Sequence, residues 1–60
     1  MYKIAICDDE KSSAAEAAEL LERYRENRGN LDFEVDIFYT SLDLLDAIEK
    51  TVYDIYLLDI

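Results

Sequence analysis

Tyr2-Lys3-Ile4-Ala5-Ile6-Cys7-Asp8-Asp9-Glu10 opens as an apolar run and breaks off at three adjacent carboxylates. The run does not alternate strictly, so it suits a strand covered on both faces, as in a parallel sheet. Three acids in a row cannot continue a buried strand, and they end it. A second stretch of the same kind, Asp54-Ile55-Tyr56-Leu57-Leu58-Asp59, lies near the other end of the chain. It too runs into a carboxylate.

Helices and one different strand separate these two. Ser13 with Glu16 three residues on fits a capping box and predicts a helix start there. Ala14, Ala17, Ala18, Leu21 and Tyr24 recur at helical spacing, while Glu19, Glu22, Arg23 and Glu26 fall elsewhere. Gly29-Asn30 is a natural stop, since either residue tolerates the left-handed conformation common after helices. Phe33, Val35, Ile37 and Tyr39 then alternate with Glu34, Asp36 and Phe38, the period of a half-exposed, edge-type strand. Thr40-Ser41 offers a second N-cap, and Leu42, Leu45 and Ile48 mark a short helix ending near Lys50. The order β-α-β-α-β implies parallel strands joined by right-handed crossovers. With the edge-type strand outside and the two apolar strands as neighbours, the spatial order is 2-1-3. Sheet growth then reverses at the first strand, and such a switch point opens a crevice beyond the carboxyl ends of the strands.

Composition narrows the function. The 60 residues carry 6 basic and 15 acidic side chains, a formal charge of −9, which opposes direct binding to nucleic acid or an anionic membrane. A hydrophobic fraction of 52% is too high for a disordered acidic tail. Cys7 stands alone and histidine is absent, so an internal disulfide and mixed Cys/His zinc sites are excluded. No run of about 18 apolar residues occurs and no signal-peptide core precedes the first strand. The expectation is a soluble protein of a reducing, cytoplasmic compartment with no membrane partner.

Asp8 and Asp9 after the first strand and Asp59 after the third should meet in the crevice. Carboxylates held together repel one another and call for a cation. An all-oxygen set suits a hard ion, and Mg²⁺ is the usual one near phosphates. A carboxylate beside such an ion can attack phosphorus and carry an acyl phosphate.

Ile4-Ala5-Ile6-Cys7-Asp8-Asp9-Glu10, Tyr53-Asp54-Ile55-Tyr56-Leu57-Leu58-Asp59-Ile60 and the intervening Phe38-Tyr39-Thr40-Ser41 resemble the receiver domain of bacterial two-component response regulators. The flavour is closest to receivers that precede LytTR-type DNA-binding domains. The resemblance spans residues 1–60 but only the first half of a receiver. It implies a flavodoxin-like, doubly wound parallel α/β sheet, truncated to β-α-β-α-β. It also implies that Asp59 accepts a phosphoryl group from a sensor histidine kinase, with Mg²⁺ bound directly by Asp9 and mainly through water by Asp8. The domain would catalyse only its own phosphorylation, and DNA would be bound only by a C-terminal effector outside these residues. A receiver also supplies a hydroxyl residue, a lysine and a metal-binding carbonyl beyond the acceptor. Without them the sixty residues are expected to bind Mg²⁺ weakly and not to sustain phosphorylation from acetyl phosphate.

Other residues have plainer readings. Asp54 lies about 16 Å from Asp59 along an extended strand, at the wrong end of the sheet, and reads as a solvated strand start. Glu10 reads as a charge approaching the helix, Cys7 as a small core residue, and the alanine stripe as close helix–sheet packing. Two other functions compete with the receiver. An aspartyl-phosphate phosphatase or phosphotransferase usually carries Asp-x-Asp after its first strand, and Glu10 stands two beyond Asp8 instead. A pseudo-receiver or interaction module would keep the fold without phosphotransfer. The apolar 54–58 strand, left at an edge, is expected to pair with another copy of the chain.

Overall fold

In the computed structural model, residues 1–59 are described; Ile60, which closes the final motif quoted above, lies outside the described residues. The elements are β1 (Tyr2–Cys7), α1 (Lys11–Arg28), β2 (Phe33–Phe38), α2 (Ser41–Lys50) and β3 (Ile55–Leu58). The sheet has the order β2-β1-β3, and both neighbours run parallel to β1. Ile4 stands opposite Val35 on one side and Ile55 on the other, and Ile6 opposite Ile37 and Leu57.

The pleat divides the side chains of β1 between two layers. Ala5, fully buried, meets Leu44 of α2 and Tyr53, with Cys7, Phe38 and Ala47 packed around them. On the other face Tyr2, Ile4 and Phe33 look toward Leu21 and Tyr24 of α1 across an apolar hollow of about 220 Å³. Ala14, without exposed surface, is the closest-packed residue of α1, as the small-residue stripe predicts. The two helices therefore cover opposite faces, the arrangement right-handed crossovers on either side of β1 require.

Local chemistry explains the helix ends. Gly29 takes φ 72°, and its N–H closes the last turn of α1 on Arg25 O. Thr40 caps α2 as expected, its Oγ1 accepting the N–H of Asp43 at 3.2 Å. The Ser13–Glu16 capping box does not form. Helix α1 begins two residues earlier at Lys11, with Glu10 at the N-cap and no side-chain cap. Asp8 is the reason: its Oδ1 accepts the N–H of Glu10 at 2.9 Å, so the chain is already turned before Ser13 is reached. Glu19 and Arg23 pair at 2.8 Å across one turn, a solvated contact of a few tenths of a kcal/mol.

Two apolar patterns face differently from their sequence reading. In α2 the inward residues are Leu44 and Ala47, while Leu42, Leu45 and Ile48 are exposed. A ten-residue helix with leucines on two sides has no single apolar stripe, and Ala5 and Tyr53 select Leu44. Ile55–Leu58, whose sequence is that of a covered strand, stays 39–55% exposed because no strand among the described residues lies on the outer side of β3. No helix among the described residues is long and apolar enough to cross a membrane.

Candidate metal and phosphoacceptor site

Parallel strands put their carboxyl ends on one side of the sheet, and β1 and β3 are hydrogen-bonded neighbours there. Cys7 pairs with Leu58, and the N–H of Asp59 donates to Cys7 O at 3.0 Å. This contact carries the ladder one residue past β3 and holds the backbone of Asp59 beside that of Asp8. On the other side the N–H of Asp8 donates to Phe38 O at 3.0 Å. The peptide group that joins Cys7 to Asp8 is thus held from both flanks.

The side chains follow from that backbone. Asp8, Asp9 and Asp59 each present a carboxylate oxygen, and the three oxygens lie within 4.8 Å of one another. Asp8 is buried, at 8% exposure, and Asp9 and Asp59 are open to solvent. A groove of about 400 Å³ leads to the cluster between Cys7 and Ala17 on one side and Leu58 and Asp59 on the other. The expected neighbourhood of the three acids is therefore present.

Charge within the cluster is not balanced by protein. Among the described residues, the ion pairs join Lys3 to Glu34, Arg23 to Glu19, Arg25 to Glu22 and Lys50 to Asp46, all elsewhere. Lys11, next along the chain, places its ammonium over the Tyr39 ring instead. Two unit charges about 5 Å apart repel by roughly 1 kcal/mol in water and 3 kcal/mol at an effective dielectric of 20. Exposure of Asp9 and Asp59 puts this cluster toward the lower figure. One polar contact is already used, since Asp8 Oδ1 accepts from Glu10 N–H.

The donor set fits a hard divalent ion. It is all oxygen, and the chain has no histidine to draw a softer metal. The three oxygens lie within 4.8 Å of one another, close to the spacing that oxygen ligands of one small divalent ion take. No family model, curated protein or solved structure matches the chain.

The remaining acids have other work. Asp54 is solvent-exposed, as read from the sequence, but it is not idle. Its Oδ2 accepts the N–H of Lys3 at 2.8 Å and its own N–H donates to Lys3 O at 2.8 Å, tying the start of β3 to the start of β1. Glu10 stays out of the cluster and accepts from the Ser12 hydroxyl at 3.1 Å. Cys7 sits half-buried against the core. One pair has no signature in the sequence. The Tyr53 hydroxyl donates to Asp36 Oδ2 at 2.6 Å, joining the segment before β3 to the middle of β2. That bond, burial of the ring and the negative charge of Asp36 together push the phenol up to about 12. Tyr53 also meets Phe38 and Tyr56 edge-on, at centroid distances of 6.2 and 5.9 Å.

Proposed function

We propose that the chain is the phosphoacceptor half of a response-regulator receiver, with a flavodoxin-like fold represented by its first three strands. One observation supports the reading above the others. Asp8, Asp9 and Asp59 converge within 4.8 Å at the carboxyl ends of neighbouring parallel strands, and no cation among the described residues pairs with them. Loops at this end of an open α/β sheet are where ligands bind.

In this reading Asp59 is the nucleophile. An exposed carboxylate oxygen attacks the phosphorus of a phosphohistidine on a sensor kinase; the P–O bond forms, the P–N bond breaks, and imidazole leaves. Asp8 and Asp9 hold Mg²⁺, which when bound offsets charge on the phosphoryl oxygens. The hydrogen bond from Glu10 N–H keeps Asp8 oriented toward the ion. Asp59 is an acceptor, phosphorylated once per signal, rather than a turnover catalyst. The phosphorylated protein works in the cytoplasm and controls a DNA-binding effector that follows the receiver.

The test is a form of the chain that includes the hydroxyl- and lysine-bearing strands of a receiver, given acetyl phosphate or a phosphorylated kinase. A Mg²⁺-dependent, hydroxylamine-labile acyl phosphate should form on Asp59 and vanish in Asp59→Asn. Unlabelled protein under those conditions would make it a pseudo-receiver. Continuous phosphate release from a phosphomonoester would make it a phosphatase.

A further inference from the structure

We propose that the outer edge of β2, with the acidic groove beside it, docks an extended partner segment in which basic and apolar residues alternate. This edge lies inside the chain, between α1 and α2. A flavodoxin-like sheet adds its remaining strands beyond β3, in the order 2-1-3-4-5, and β2 stays outermost. That placement rests on the fold proposed above, whereas the docking uses none of the three clustered carboxylates.

The sheet register fixes which backbone groups are free. Tyr2 N–H donates to Asp32 O and Asp8 N–H to Phe38 O, and Lys3, Ala5 and Cys7 stand opposite Glu34, Asp36 and Phe38. The inward-turned groups of β2 are therefore those of Glu34, Asp36 and Phe38, and those of Phe33, Val35 and Ile37 turn outward. Arg25 has claimed one of these. Its Nη2 donates to Phe33 O at 2.9 Å, and its Cζ lies 4.2 Å from the centroid of the Phe33 ring. The N–H and C=O of Val35 and Ile37 have no partner among the described residues. Two donors and two acceptors in a row are what an added strand pairs with.

Side chains on the two faces of this edge differ. Ala5 faces α2, so Asp36 opposite it does too, with Glu34 at the same parity. Both acids are exposed. Asp43 and Asp46 of α2 stand across a groove of about 550 Å³ from Asp36. Lys50 also lines that groove, but it pairs with Asp46 at 3.5 Å. On the opposite face Val35 and Ile37 are half-buried and uncharged.

A strand laid along β2 sends alternate side chains to the two faces. Those on the α2 face meet carboxylates, and those on the α1 face meet valine and isoleucine. Basic residues fit the first set and apolar residues the second. The same acids disfavour a second copy of this chain, because β2 against β2 sets like charges opposite one another and β3 brings no cation. An excess of 15 acidic over 6 basic side chains adds attraction for a cationic partner, screened over about 8 Å at physiological salt.

The probe is a blocked peptide alternating lysine and valine, matched to the six residues of β2 and titrated into the isotope-labelled chain. The amides of Val35 and Ile37 should shift saturably at millimolar peptide and gain protection from hydrogen exchange, while those of Ile55–Leu58 stay still. Glu34→Lys should weaken binding roughly fivefold or more, and a peptide alternating glutamate and valine should bind that variant better than the parent. A peptide with the same lysines and valines gathered in two blocks should bind much more weakly, since it cannot set every lysine on the acidic face. The same shifts should appear in the longer form that carries the remaining receiver strands. Equal binding of the block peptide overturns the proposal, because charge alone would then suffice. Shifts centred on β3 or on the acids of α1 overturn it too, as does the absence of binding. Protection of Val35 and Ile37 without peptide, rising with chain concentration or present in the longer form, gives the edge to a second copy or to the chain itself and also overturns it. Labelling of Asp59 tests the receiver reading separately.

Discussion

Asp54 and Asp59 flank the same four-residue strand, and the sheet uses them in opposite ways. The Asp54 carboxylate accepts the N–H of Lys3, so its charge is spent on holding β3 against β1. The Asp59 backbone does the corresponding job through its N–H to Cys7 O, which frees its carboxylate to join Asp8 and Asp9. Asp36 belongs with Asp54, since its oxygen is taken by the Tyr53 hydroxyl. The lesson is that side-chain type does not distinguish an acid that ties strands together from one gathered with other acids. What distinguishes them is the end of the parallel strands at which each stands, since Asp8 belongs to the cluster although its Oδ1 accepts the N–H of Glu10.

The largest effect should come from cutting the tyrosine tie. Tyr53→Phe removes a hydrogen bond to a charged acceptor and should cost about 1.5 kcal/mol in urea unfolding at fixed chain concentration. The same bond carries a pH signature. The Tyr53 phenol ionises at about 12 in the folded chain against 10.0 ordinarily, so the proton is held more tightly folded than unfolded. Its stabilisation is complete below pH 10 and is lost as pH rises from 10 toward 12. In an ultraviolet titration one of the five tyrosines should ionise late, and Tyr53→Phe should remove that late step. A phenol that titrates with the others would show that the bond to Asp36 does not persist in solution.

Asp54→Ala comes next. It leaves the Lys3 N–H to partly exposed surroundings and should cost about 1 kcal/mol. Asp59→Asn should do the reverse in metal-free buffer, adding about 0.5 kcal/mol by relieving repulsion among exposed carboxylates. If both substitutions destabilise equally, the division between strand-tying and clustered acids is wrong.

Part of this division was legible in the sequence. Two apolar runs ending in acid, with an acid-bearing alternating strand between them, gave parallel neighbours, the order 2-1-3 and the meeting of Asp8, Asp9 and Asp59. Glycine and threonine marked two helix ends because each acts on its own backbone. Longer-range polar contacts were not legible. Tyr53 with Asp36 and Asp54 with Lys3 join residues 17 and 51 apart, and no period or spacing reports such pairs. The start of α1 was misplaced for a related reason, since Asp8 turns the chain from outside the helix. In α2 the choice of Leu44 over Leu45 depends on where Ala5 and Tyr53 stand, which is tertiary information.

Mg²⁺ titration followed by amide chemical shifts tests the central claim most directly, with Asp59→Asn as the comparison. The amides of Asp8, Asp9 and Asp59 should shift saturably at millimolar Mg²⁺, those of Asp36 and Asp54 should stay still, and Asp59→Asn should weaken binding roughly tenfold or more. Equal affinity in Asp59→Asn, or shifts centred on the acidic surface of α1, would contradict the assignment of the ion to the three carboxylates.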